Sequence, residues 1–108
     1  MKKKDSPAGC ADILRALGDA TRLRVLQELL DRPLHVNDLM AKLKSEQSLL
    51  SHHLKVLREA GLVTATRDGK AVLYQVASEI AGANDEQCID LKCCQVVFRP
   101  SRKPGKAQ

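Results

Sequence analysis

The chain has almost no aromatic side chains, with no Trp, one Tyr and one Phe among its 108 residues. Its core must therefore be aliphatic, and sixteen leucines are available to build it. Long apolar runs are also missing: none approaches the roughly 18 residues that span a bilayer, and the lysines after Met1 lead into no signal-peptide core. We therefore expect one small cytoplasmic domain with no membrane contact.

A general excess of positive charge is missing from the central part of the chain. The formal net charge is +5, but seven of the eighteen Lys and Arg residues lie in the two tails. Residues 5–98 hold eleven Lys and Arg against thirteen Asp and Glu, a net of −2. The predicted organisation is a basic tail at 1–5, one domain at 6–98 and a basic tail at 99–108. Binding to an anionic partner must then depend on where individual cations lie in the domain.

Several motifs of enzymes are absent as well. The sequence has no Cys-x-x-Cys, no Gly-rich phosphate loop and no internal repeat. A Cys nucleophile with a His base is chemically conceivable, but no further motif supports it, so we expect no enzyme. Two non-enzymatic functions are also considered, a thiol metallochaperone and a pure interaction module. A protein of either class is not expected to bind a specific DNA sequence.

What the chain does contain is an amphipathic stretch at Ser45–Val63, SEQSLLSHHLKVLREAGLV. Its apolar residues recur at helical spacing, with Leu50, Leu54 and Leu57 at the centre and Leu49 widening the same side. We predict a helix that Ser45 caps and Gly61 ends. The opposite face carries amide, hydroxyl and cationic groups, which suit phosphate oxygens and base edges in a DNA major groove. These residues are Gln47, Ser48, Ser51, Lys55 and Arg58.

The flanking sequence places this helix in a larger motif. A short helical pattern at residues 36–43 precedes it, and a β-hairpin is predicted at residues 62–76, with the turn Asp68-Gly69 flanked by Arg67 and Lys70. Two helices followed by a basic hairpin form a winged helix-turn-helix. The predicted fold class is thus mainly α with a small β wing (α+β).

The remaining segments complete the expected fold. A first helix starts at Ser6-Pro7, and a second, capped by Asp19, reaches about Leu30. We expect a short helix at 78–83 and a strand within 88–98. The apolar stripe of the first helix consists of Cys10, Ile13, Leu14 and Leu17. Among the histidines, we expect His53 to be packed and hydrogen-bonded, His52 to contact DNA and His35 to be a solvated loop residue.

With these residues in place, the chain resembles the ArsR/SmtB family of bacterial metal- and stress-responsive repressors over about residues 12–76. The segments that carry the resemblance are LRALGDATRLRVLQELL, VNDLMAKL, EQSLLSHHLKVLREAGLV and RDGKAVLYQV. The resemblance implies a homodimer, joined through its first and last elements, that binds double-stranded operator DNA with an inverted repeat and is released by an inducer. It implies no cofactor for DNA binding. The DNA-binding positions that it gives are Gln47, Ser48, Ser51, His52, Lys55, Arg67 and Lys70.

Two known metal sites of that family do not match this chain. Some members have a thiolate site where this sequence reads His35-Val36-Asn37-Asp38, without cysteine. Others bind zinc through histidines on the last helix, but no histidine follows Tyr74. A zinc sensor of that type is therefore not expected.

The candidate inducer site is a cysteine group near the C-terminus. Cys88, Cys93 and Cys94 lie within seven residues, and thiolates select soft ions, so we predict a site for trivalent arsenic or antimony if the backbone bends. A redox or persulfide switch and ordinary burial remain alternatives, because a straight strand would point Cys93 and Cys94 to opposite faces. Cys10 is expected in the core, although at a dimer interface it could also join the partner's thiols.

Overall fold

The computed structural model describes residues 7–81 and 88–98, with side chains from residue 9 onward. In this part of the chain, four helices surround an aliphatic core, a three-stranded antiparallel sheet forms the wing, and a two-stranded hairpin follows. This arrangement confirms the predicted winged helix-turn-helix. The elements are α1 Pro7–Leu17, α2 Ala20–Asp31, β1 Leu34–His35, α3 Val36–Leu43, α4 Gln47–Glu59, β2 Val63–Asp68, β3 Ala71–Val76, β4 Cys88–Asp90 and β5 Gln95–Val97.

The junction of α1 and α2 follows the predicted capping chemistry. Asp19 has an extended backbone, and its carboxylate accepts hydrogen bonds from the backbone N–H groups of Thr21 at 2.8 Å and Arg22 at 3.1 Å. These bonds satisfy donors that the first turn of a helix leaves unpaired. The other predicted cap, Ser6, lies outside the described residues.

The turn between α3 and α4 is built without glycine. Lys44 takes the left-handed conformation, with φ 53°, and the N–H of Ser45 donates to the carbonyl of Met40 at 3.2 Å. Because Ser45 closes α3 in this way, α4 begins later, with Glu46 as its N-cap residue. The prediction that Ser45 caps α4 is therefore wrong, and its hydroxyl donates to the carbonyl of Glu46 at 3.3 Å.

The wing has the predicted hairpin with one additional strand. β1 pairs with the outer side of β3, placing Leu34 opposite Tyr74. The register of β2 with β3 pairs Asp68 with Ala71, so the tip is Gly69-Lys70, not Asp68-Gly69. Gly69 has φ 67°, a conformation that its missing side chain makes inexpensive. The turn is thus shifted by one residue from the prediction.

The core is made of the expected leucines, with two exceptions. Leu50, Leu54 and Leu57 of α4 are at most 1% exposed, whereas Leu14 is 42% and Leu49 is 51% exposed. The α1 helix turns Ile13, Ala16 and Leu17 inward, which leaves Leu14 at the surface. Both leucines were expected on buried faces, and both expectations are wrong.

The C-terminal segment differs most from its prediction. Residues 78–80 form a turn closed by the N–H of Ile80 on the carbonyl of Ala77 at 3.0 Å, so within residues 78–81 there is no helix. The predicted strand at 88–98 is a hairpin of β4 and β5, and Lys92 takes a left-handed conformation in its turn, with φ 76°. Ile89 and Leu91 are 0% and 2% exposed and belong to the same core as the helices. None of the helices within the described residues has the length and apolar character needed to cross a membrane.

Candidate nucleic-acid interface and cysteine cluster

The polar face of α4 is open to solvent. The same helix buries its leucines on the other side, so the fold presents this face outward. Lys55 also lies 3.8 Å from Glu59 one turn later, an exposed ion pair that competes weakly with other partners. All five predicted reading residues are exposed: Gln47, Ser48, Ser51, His52 and Lys55.

A polar contact beneath this face fixes α4 against α2 and the end of α1. Arg22 donates from Nε to the carbonyl of Ala16 at 2.6 Å, and its Nη1 lies 3.2 Å from Nδ1 of His53. Because a guanidinium only donates, His53 accepts this bond through Nδ1. His53 is 7% exposed, so the prediction of a packed, hydrogen-bonded histidine is confirmed.

The charge at the start of α2 also responds to this arrangement. The pKa of Asp19 lies below its ordinary value of 3.8, chiefly because the N–H of Arg22 bonds its carboxylate. Burial opposes this effect, while the N–H of Thr21 and the positive charge of Arg22 add to it. The carboxylate therefore remains ionised where α1, α2 and α4 meet.

The wing tip carries the two predicted cations. Arg67 and Lys70 are exposed at the end of the hairpin. Between them, Asp68 accepts a contact of 2.8 Å from Nε2 of His35, which links the tip to the start of α3. His35 is therefore not a solvated loop residue, and no local pattern indicated its partner, because the two residues are 33 positions apart.

His35 has a second carboxylate on its other side. Its Nδ1 lies 3.6 Å from Asp38, and its backbone N–H donates to the same carboxylate at 3.3 Å. The imidazole is thus held between an acid of α3 and an acid of the wing. This arrangement links the wing to the start of α3.

An open groove of about 640 Å³ runs beside the first turns of α4. Two reading residues, Ser48 and His52, line it together with the exposed Leu49. Arg24 and Lys44, both exposed cations, line it as well. The groove therefore continues the polar face of α4 toward the helix-turn-helix connection.

Three cysteines from opposite ends of the sequence meet where α1 lies against the C-terminal hairpin. Both elements also line a cavity with the end of α4, the reading helix. Cys10 of α1 forms a disulfide with Cys93, although 83 residues separate them. The sulfur of Cys94 lies 3.8 Å from that of Cys10 and 3.9 Å from that of Cys93. All three side chains are half-buried, and their sulfur atoms lie within 4.8 Å of one another.

This cluster differs in membership from the predicted set of Cys88, Cys93 and Cys94. Cys88 is a half-buried free thiol in β4 and is not part of the group among the described residues. The turn around Lys92 brings Cys93 and Cys94 to one side, where a straight strand would have separated them. Cys10 reaches them within the same chain, where the sequence suggested the partner's thiols. That any of these cysteines binds a metal remains a prediction.

The cysteine cluster lies on elements that touch the end of the reading helix. Leu91, whose N–H donates to the carbonyl of Cys94 at 2.8 Å, lines a small cavity of about 240 Å³. Ile13 of α1 and Ala60 and Gly61 at the end of α4 line the same cavity. The cavity is therefore lined jointly by α1, the C-terminal hairpin and the end of α4.

Comparison with known proteins gives the family. A family model described as "Bacterial regulatory protein, arsR family" matches residues 19–65. The HTH-type transcriptional regulator NmtR of Mycobacterium tuberculosis is 42% identical over 69 residues, which are 64% of this chain and 58% of NmtR. This chain thus covers less than two thirds of that relative.

Two further proteins are similar over more of their length. The transcriptional activator HlyU of Vibrio cholerae is 37% identical over 81 residues, 75% of each protein. A solved HlyU structure has a TM-score of 0.64 at 36% identity and covers 71% of this chain and 82% of its own. A crystal structure titled "Possible transcriptional regulator for arsenical resistance" has a TM-score of 0.60 at 38% identity, covering 63% of this chain and 71% of its own.

The named relatives are transcriptional regulators, which confirms the expectation that the chain is no enzyme. The family model covers the helix-turn-helix itself, and the identity to HlyU extends over three quarters of both proteins. The chain belongs to the ArsR family of bacterial regulatory proteins.

Proposed function

We propose that this protein is a cytoplasmic DNA-binding repressor whose affinity for its operator is controlled at the cluster of Cys10, Cys93 and Cys94. One observation carries the proposal: three sulfur atoms from the two ends of the chain lie within 4.8 Å of one another, behind a helix with an open polar face. The cysteine cluster can receive a chemical signal, and the polar face of α4 can contact DNA.

The exposed side chains of α4 and the wing support DNA binding. Gln47, Ser48, Ser51 and His52 carry the groups that read base edges in a major groove, and Lys55 suits a phosphate. Arg67 and Lys70 at the wing tip extend this contact to the phosphate backbone. None of these side chains needs a metal in order to bind DNA.

The repressor acts as a homodimer on an inverted repeat. A dimer places two copies of α4 in successive major grooves, about 34 Å apart along the duplex. The exposed Leu14 of α1 supports this arrangement, since α1 is one of the elements that the family resemblance assigns to the dimer interface.

The inducer is a trivalent arsenic or antimony species held by three thiolates. Arsenite, As(OH)₃, loses three waters when three thiols replace its hydroxyl groups, which gives one As–S bond to each cysteine. This chemistry requires the reduced form of the cluster, because the Cys10–Cys93 disulfide leaves only Cys94 as a thiol. The similarity to a structure titled as a regulator for arsenical resistance favours this ion.

A second candidate signal is thiol oxidation, and the Cys10–Cys93 disulfide favours it. In that case an oxidant accepts two electrons and two protons from the two thiols, and the resulting bond alters operator affinity. Either signal acts by population shift: a ligand or bond that favours a DNA-incompetent arrangement must weaken operator binding by the same coupling factor.

Base reading and wing contacts are expected to differ in a binding assay. With an operator selected from random duplexes under reducing conditions, Ser51→Ala and Gln47→Ala should erode sequence discrimination by about 1 to 3 kcal/mol each. Arg67→Ala and Lys70→Ala should instead weaken binding to all sequences and reduce the salt dependence by roughly one unit of slope per lost phosphate contact. An equal loss of sequence discrimination from both pairs of variants would contradict this division between base reading and phosphate contact.

The homodimer has its own test. A monomer bound to a single half-site in ultracentrifugation would contradict it.

Release from the operator tests the cysteine cluster. Arsenite, antimonite, cadmium, zinc, a persulfide and an oxidant are added in parallel to the reduced protein–operator complex. We expect arsenite or antimonite to release the wild type, and Cys10→Ser or the double variant Cys93→Ser/Cys94→Ser to bind operator normally but resist release. Cys88→Ser is the matched control and should be released like the wild type. If Cys88→Ser resists release while Cys10→Ser does not, the ligands are Cys88, Cys93 and Cys94, as the sequence spacing predicted. Release by the oxidant alone would favour the redox candidate.

A further inference from the structure

Leu49 is the exposed apolar residue of the reading helix. It is 51% exposed, whereas Leu50 beside it is fully buried. A leucine at this position leaves about half of its apolar surface in water. Single exposed leucines are common, so its exposure alone does not indicate a role. The side chains around Leu49 indicate a role for it.

The side chains around Leu49 are those that would face DNA. Ser48 precedes it and His52 follows one turn later, and all three line the groove beside α4. Arg24 and Lys44 line the same groove with exposed positive charge, against one exposed carboxylate, Glu46, and these cations suit the phosphates that border a DNA groove. Leu49 therefore lies between residues suited to base edges and cations suited to the backbone.

The major groove offers one apolar group at base level, the C5 methyl of thymine. We propose that Leu49 is a specificity-determining residue that packs against a thymine methyl in each half-site of the operator. This inference rests on the proposed DNA-binding function and adds a requirement to it. Serine, glutamine and histidine select bases through hydrogen bonds, whereas Leu49 selects a methyl group through burial.

Removing only that methyl tests the contact. Each thymine of a selected operator is replaced in turn by deoxyuridine, which keeps the base pair and its hydrogen bonds. At one position per half-site, the wild type is expected to lose about fourfold in affinity, the factor that corresponds to burying one methyl group. Leu49→Ala should bind the thymine operator more weakly and show no further loss with deoxyuridine at that position.

Leu49→Met is the matched control, because methionine keeps an apolar side chain of similar volume at the same exposed position. It should keep the full deoxyuridine penalty. A wild type that is indifferent to every substituted thymine, or a Leu49→Ala variant that keeps the penalty at every position, would overturn the inference while leaving DNA binding intact. A Leu49→Ala variant that has lost its dimer would also overturn it, since Leu49 would then be a subunit contact. If no duplex is selected at all, the proposed DNA-binding function itself fails.

Discussion

Asp19 is a half-buried carboxylate at the junction of α1 and α2. It caps α2 through two backbone N–H groups and lies in the field of Arg22. Capping requires only an oxygen atom that accepts hydrogen bonds, whereas the electrostatic attraction to Arg22 requires the negative charge of Asp19. The two contributions can therefore be separated by substitution.

Substitution of Asp19 should separate the cap from the charge. Asp19→Ala removes both and is expected to lower the free energy of unfolding by about 1 kcal/mol, whereas Asp19→Asn keeps an acceptor and should lose less at pH 7. Urea denaturation of the three proteins measures both differences. A loss for Asp19→Asn as large as that for Asp19→Ala would mean that the charge, and not the acceptor, stabilises the helix.

The pH dependence of this contribution has a definite sign. The pKa of Asp19 is lowered on folding, so its charge contributes stability that is complete above the ordinary value of 3.8. That contribution is lost as the pH falls through the lower pKa of the folded protein. The stability difference between wild type and Asp19→Asn should therefore shrink on acidification below about pH 4 and stay constant between pH 5 and 7.

At the level of elements, the wing depends on a contact from outside the hairpin. His35, at the junction of β1 and α3, contacts Asp68 at the wing tip and Asp38 in α3. The contact leaves Arg67 and Lys70 free of the nearest wing carboxylate, because Asp68 is engaged by the imidazole. His35 therefore acts as a positioning residue for the basic tip.

His35→Ala should release the tip from α3. Since the contact is partly exposed, we expect a loss of roughly twofold to fivefold in operator affinity, with unchanged base preference. Asp68→Ala alone removes a negative charge near DNA, so the informative measurement is a double-mutant cycle of His35 and Asp68 in operator binding. Additive effects of the two substitutions would show that the contact does not orient the wing.

Periodicity and capping chemistry were enough to predict α1 to α4 and the β2–β3 hairpin, but they missed β1 and wrongly predicted a helix at 78–83. Leu50, Leu54 and Leu57 repeat at helical spacing, and Asp19 has a side chain that only a few residue types share at caps. The same rules failed for Leu49 and Leu14. Helical periodicity predicts which side of a helix faces the core, but it does not predict how many residues on that side the core covers. Ser45 failed because a left-handed Lys44 closes α3 first, which no local pattern indicated.

The candidate site was less predictable than the fold. Polar residues on α4 could be read from sequence, since helical spacing alone puts them on one face. The contacts of Cys10 with Cys93 and of His35 with Asp68 join residues far apart in the chain. Only the packing of α1 against the C-terminal hairpin, and of α3 beside the wing, creates them.

For the whole molecule, the Cys10–Cys93 disulfide closes a loop that contains the helix-turn-helix and the wing. A cross-link over 83 residues restricts the unfolded chain, and its reduction should lower the free energy of unfolding by about 2 to 4 kcal/mol. Urea denaturation with and without a reductant tests this expectation. Cys10→Ser should reproduce the reduced value, because it removes the partner of both Cys93 and Cys94, and Cys88→Ser should still respond to the reductant. An unchanged midpoint on reduction would contradict it.

The same loop has a mechanical consequence. If the oxidised protein is held by its two ends and pulled, the force passes from Cys10 directly to Cys93 through the sulfur bridge. The reading helix and the wing then carry no load. Reduction returns residues 11–92 to the load path, a gain in extended length of about 280 Å.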